Sequence, residues 1–187
     1  PKIKEQEKFE LHITADNVES TDEHFTMDNL GLGDNYKPLD AYFMKASGEI
    51  IKRSYSKGER RNSNQTMPRI ACQIFEKQLA GLSVEKENFP ICKYTPHGDT
   101  YRGIYSSVEE FKKYRNTIEY MTYAYDNGRQ FVIYCWNIFS TILFVQECLK
   151  RFGEGGDQFV LTYREKDEKE TSEAETEAAV QEELVQQ

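Results

Sequence analysis

The sequence predicts an α+β domain, a mostly antiparallel sheet packed with about three helices and followed by an acidic C-terminal tail. Polar and apolar residues alternate with period two in short runs, the pattern of half-buried strands. Asn127-Gly128 lies between two β-prone runs, which is the strongest short-range signal of a hairpin. Helical spacings are interspersed with the strands, without the regular strand–helix–strand alternation of a parallel sheet and without an internal repeat.

Lys8 to Ile13 alternates polar and apolar and reads as a strand, after which comes a polar acidic loop. Gly31 to Pro38 reads as turns. Ala41 to Lys45 and Glu49 to Tyr55 flank Ser47-Gly48 and form a second hairpin. Ser56 to Gln65 has no aliphatic or aromatic side chain and is expected as an exposed loop. Ile70, Ile74 and Phe75 mark a helix from Pro68 to Leu79, opened by proline in its first turn near Thr66 and stopped at Gly81. Phe89 to Tyr94 and Thr100 to Ser106 are β-prone around a Pro96 to Asp99 turn. Ser107 with Glu110 spells a capping box for a helix through about Ile118. Glu119 to Tyr125 and Gln130 to Trp136 are the arms of the Asn-Gly hairpin. Asn137 can cap a helix to about Phe152, which Gly153 ends, and Phe159 to Tyr163 is a last strand.

A chain of 187 residues has room for one core, here residues 1–164, with 165–187 as a tail that is disordered or forms a short docked helix. Ser172 with Glu175 and the pair Val180 and Leu184 support the helical option. With 38% hydrophobic but 13% aromatic residues, burial rests on Tyr and Phe as much as on Leu. The longest nearly continuous apolar run, Phe131 to Val145, holds Asn137, Ser140 and Thr141 and falls short of the roughly 20 residues that span a bilayer, so it reads as core and no membrane partner is expected. No basic segment followed by an apolar one opens the chain, so an intracellular site, cytoplasmic or nucleoid/nuclear, is the expectation. Cys72, Cys92, Cys135 and Cys148 are expected as reduced, mostly buried thiols.

The net charge of −8 hides a segregation. Residues 165–187 hold nine acids and two bases, and residues 1–35 nine acids and three bases. Lys45 to Arg69 carries seven bases against two acids, which accounts for the whole positive excess of the body between the two acidic ends. Between Tyr94 and Trp136 fall 11 of the 24 aromatic residues. Binding a single strand without reading its sequence requires flat rings for bases and cations along the phosphates. The expected nucleic-acid-binding residues are therefore Lys52, Arg53, Tyr55, Lys57, Arg60, Arg61 and Arg69 on a basic arm, with Tyr101, Arg102, Tyr105 and Arg129 beside it. The acidic tail resembles the detachable acidic ends of many single-strand binders, in charge layout alone.

The alternative is a structural protein, a capsid, filament or accessory-complex subunit whose acidic ends dock on the basic arm of the next copy, giving a homo-oligomer or a partner held through the tail. An enzyme is not expected, because no activated nucleophile or paired base is legible. His12-Ile-Thr14 and His24-Phe-Thr26 repeat a His-x-Thr pattern known from phosphoesterases, but coincidence accounts for it better. Cys92 and His97 lack a second metal-ligand pair, and Gly31-x-Gly33 lacks the rest of a dinucleotide loop, so neither metal nor cofactor is expected.

Overall fold

In the computed structural model the described residues are 7–26, 36–53, 63–82, 89–92, 100–115, 120–125, 128–135 and 138–167. Their fold is α+β, with helices among antiparallel sheets. The chain opens with β1 (Lys8–Ile13), β2 (Val18–Ser20), β3 (Tyr36–Met44) and β4 (Ile50–Lys52). Helices α1 (Ser63–Ile74) and α2 (Glu76–Ala80) lead to β5 (Pro90–Cys92), β6 (Thr100–Arg102) and β7 (Ile104–Tyr105). Then come α3 (Val108–Tyr114), β8 (Tyr120–Ala124), β9 (Gln130–Tyr134), α4 (Ile138–Phe152) and β10 (Gln158–Glu165).

The largest sheet has the order β2-β1-β10-β3-β4, all antiparallel, so the last strand fills the middle between the first and third. Its alternation sends Leu11, Ile13, Ala41, Phe43, Phe159, Leu161 and Tyr163 to one face, where they meet Met67, Ile70, Phe75, Ile142, Val145 and Cys148 of the helical segments. The same core takes in Met121, Phe131 and Ile133 from the second sheet, β7-β9-β8. Side chains of α1 and α4 thus share one core with both sheets, and α4 buries Ile138, Ser140, Thr141, Ile142, Phe144, Val145, Cys148 and Leu149. The described residues of the long apolar run belong to β9, Cys135 and the first half of α4, and most of them are buried. Among the described residues no helix is long and apolar enough to cross a membrane.

Most expected elements are present with the expected chemistry. The first strand has the bounds read from its alternation. The β3–β4 hairpin turns at Gly48, whose φ of +93° needs glycine, and the β8–β9 hairpin at Gly128, with φ of +82°. Ser107 caps α3, its Oγ accepting from the Glu110 N–H at 3.1 Å. Cys72, Cys135 and Cys148 are buried.

The differences have physical causes. Val18–Ser20, read as loop, is a strand because a tight turn, with Thr14 N–H donating to the Asn17 carbonyl at 2.9 Å, folds it back on β1. Tyr36 to Pro38, read as turns, begins β3: β4 pairs only with Tyr42–Met44, so among the described residues the strand has a partner on one side at Pro38, beside a β-bulge, and the missing N–H costs little. Ser63 to Gln65, read as loop, forms the first turn of α1, which places Pro68 inside the helix. Phe75 interrupts the predicted single helix, giving four helices among the described residues, and its ring packs on Phe43 and Phe152. Helix α3 ends at Tyr114, because Arg115 is extended. Strand β10 runs to Glu165, one residue past the predicted domain end. The readings of residues 168–187, of the Pro96–Asp99 turn and of the Asn137 cap lie outside the described residues.

Candidate functional site

Of the predicted binding residues, Lys52 ends β4 and is exposed, whereas Arg53 directly after it is buried. Tyr55, Lys57, Arg60 and Arg61 lie outside the described residues. Arg69 is half-buried on α1. Tyr101 and Arg102 occupy β6, opposite Ile91 and Pro90. The Arg129 guanidinium donates to the Ala80 carbonyl at 2.7 Å and lies over the Phe131 ring, so it ties the β8–β9 hairpin to the end of α2.

Tyr105 corrects the sequence reading: it is only 2% exposed and packs edge-on against Phe111, with ring centroids 5.2 Å apart, so it offers bases no face on which to stack. The same holds for most described rings of the aromatic stretch. Phe111, Tyr125, Phe131 and Tyr134 are buried, Tyr120 and Tyr123 are half-buried, and Tyr114 is exposed. The cause is that β9 lies in the middle of its sheet and is covered on both sides. Phe131 and Ile133 enter the main core, while Val132 and Tyr134 join Tyr105 and Phe111 in a second cluster under α3.

Among the described residues, the face that no helix covers belongs to the large sheet. Residues opposite one another in neighbouring strands share a face, and the register sets out four rows pointing away from the core. The first is Lys8, Arg164 and Lys37. The second is Glu10, Thr162 and Asp40. The third runs Glu19, His12, Val160, Tyr42 and Lys52 across all five strands, and the fourth is Gln158, Met44 and Ile50. None of these side chains belongs to either core cluster, and Lys8, Glu19, Lys37, Asp40, Ile50 and Lys52 are exposed. A cationic row is thus followed by an acidic one and then by a mixed row bearing rings and an aliphatic floor.

Hydrogen bonds fix the middle of this face. The Tyr42 hydroxyl donates to Glu10 Oε2 at 2.8 Å, and Glu10 Oε1 lies 3.9 Å from His12 Nε2. His12 Nδ1 in turn bonds Gln158 Oε1 at 2.8 Å. Burial first, and then the bond to Glu10, pushes the Tyr42 phenol up to about 12, so it stays a neutral donor across the physiological range. Val160 beneath them is fully buried. In the core, burial pushes the Cys72 thiol up to about 12 and raises that of Cys148 as well. Among the described residues no group of three or more His, Cys, Asp or Glu is gathered as a metal site would require.

Sequence reading missed this face because its rows join strands far apart in the chain; His12 and Gln158 are 146 residues apart. The alternation of β1 did mark Lys8, Glu10 and His12 as outward. Their neighbours are hidden in the sequence because Lys37 lies in a segment that reads as turns and Arg164 falls beyond the expected last strand. Comparison with family models, with curated proteins and with solved structures returned no match.

Proposed function

We propose that this chain is an interaction module, a structural or assembly subunit that engages another protein through the outer face of its five-stranded sheet. The observation that carries the reading is the banding of that face, in which Lys8, Arg164 and Lys37 adjoin Glu10 and Asp40 beside the half-buried Tyr42 and the exposed Ile50. Polyanion binding favours a track of one sign, whereas alternating signs around partly apolar side chains set register and orientation against a surface of complementary pattern. The assembly reading from sequence placed the contact at the acidic ends and the basic arm; here it moves to the sheet.

Binding of single-stranded nucleic acid is the second reading. It is favoured by the three cations directly opposite one another at one end of the sheet, an arrangement in which like charges repel and an anion relieves the repulsion. A sizing experiment on the full chain, run beside a titration with labelled oligonucleotides at low and high salt, separates the two. Association with a protein partner or with itself, together with weak oligonucleotide binding, supports the interaction module. Tight oligonucleotide binding that falls steeply with salt, from a chain that remains monomeric, would replace it with the second reading.

A further inference from the structure

The first two rows of the outer face are complementary to each other, and from this we infer that the partner is a second copy of the same chain, docked sheet to sheet about a two-fold axis that runs between those rows. The inference rests on the interaction-module reading and makes its partner specific. A two-fold axis lying in the interface, parallel to the rows and midway between them, returns each strand over its own counterpart with its direction reversed. Lys8 then faces Glu10 of the second copy and Glu10 faces Lys8; Lys37 faces Asp40 and Asp40 faces Lys37; Arg164 lies over Thr162. All six positions follow from the register of β1, β10 and β3.

Several features suit this contact. Isologous two-fold contacts are the commonest in soluble oligomers and need a patch that complements itself, which two adjacent rows of opposite sign provide. Lys8, Lys37 and Asp40 are exposed, and Glu10, Thr162 and Arg164 are half-buried, so the charged groups lie within reach of an opposing sheet roughly 10 Å away. Within one copy the row Lys8, Arg164, Lys37 sets like charges side by side; in the pair each of its lysines faces an acid of the other copy. Glu10 is held by the Tyr42 hydroxyl at 2.8 Å, which fixes the carboxylate that meets Lys8. A patch three strands wide is small beside a standard interface of about 800 Å² per partner, so the dimer is a weak one that salt dissociates.

The test is sedimentation velocity on the full chain across the micromolar range at low and high salt, with two charge reversals at exposed positions, Lys37→Glu and Asp40→Lys. The parent should dimerise reversibly and more weakly at high salt. Each reversal introduces two repulsive pairs by symmetry and should raise the dimer Kd by about tenfold. An equimolar mixture of the two variants should recover association. In the mixed pair the acid introduced by Lys37→Glu in one copy faces the base introduced by Asp40→Lys in the other, and the second symmetry-related contact keeps its native Lys37 and Asp40. Far-ultraviolet circular dichroism and melting of each variant check that the fold is kept. A dimer insensitive to both reversals, or a mixture no stronger than either variant alone, overturns the proposed geometry. A parent that is monomeric throughout overturns the second copy as partner. If that monomer also binds an oligonucleotide with salt-sensitive affinity that Lys37→Glu weakens, the interaction-module reading falls too; without such binding only the second copy does.

Discussion

Replacing Tyr105 by alanine decides whether the aromatic stretch is core or binding surface. The ring is 2% exposed, lies 5.2 Å centroid to centroid from Phe111, and forms a cluster with Val132 and Tyr134 under α3. Truncating a buried aromatic ring to alanine costs about 3–5 kcal/mol, against a total of about 5–15 kcal/mol for a domain. For a chain of this size each kcal/mol lowers the Tm by about 2–4 °C, so Tyr105→Ala should melt roughly 6–20 °C below the parent. Tyr114 is the internal control: its ring lies 5.9 Å from that of Tyr105 but is 57% exposed, and Tyr114→Ala should cost under about 1 kcal/mol. Calorimetry and urea denaturation of the two variants give the comparison directly. If Tyr105→Ala melted within about 2 °C of the parent while oligonucleotide affinity fell about tenfold, the ring would be a stacking surface, and the assignment of the second cluster as core would be wrong.

Three further outcomes follow from named contacts. Ser107→Ala removes the cap of α3 and should cost about 1 kcal/mol by urea denaturation, with Ser107→Asp close to the parent; equal losses for both would show that the Oγ contact to Glu110 is immaterial. Asp157 accepts from the Ala46 N–H through Oδ1 and from the Glu154 N–H through Oδ2, both at 2.9 Å, and so joins the β3–β4 turn to the turn before β10. Asp157→Ala should therefore lose about 1–2 kcal/mol and Asp157→Asn about half as much, because the amide keeps one acceptor; a larger loss for Asn would contradict this. The Cys72 thiol is pushed from 9.0 up to about 12, chiefly by burial, so the folded chain favours the protonated form. The stability this contributes is whole below pH 9.0 and is lost as pH rises toward about 12, at up to about 1.4 kcal/mol per pH unit. Burial raises Cys148, Tyr36 and Tyr125 in the same direction, so the urea midpoint should fall steadily above about pH 9, and a midpoint that held or rose would count against buried protonated thiols.

Much of the fold is local and so was legible. The alternation of Lys8 to Ile13, the Ser107 cap, the glycines at 48 and 128, and the stop after Phe152 each act within a few residues, and each appears where the sequence places it. Helix breaks and strand ends were less legible because neighbours set them. Pro38 is tolerated in β3 only because β4 stops short of it, and Phe75 leaves the helix to fill a space between Phe43 and Phe152.

The sequence by itself determined the α+β class, the hairpins and the outward side chains of the first strand, because these depend on the period of the pleat and on turn chemistry within one segment. Which aromatic faces meet solvent was decided only by the tertiary structure. A strand covered on both sides and one covered on one side can carry the same rings, and β9 is covered twice because α3 closes over Val132 and Tyr134. The rows of the outer face were decided there as well. Lys8, Arg164 and Lys37 become neighbours only when the last strand inserts between the first and the third, a pairing that rests on long-range packing against α1 and α4 and that leaves no mark within any one of the three segments.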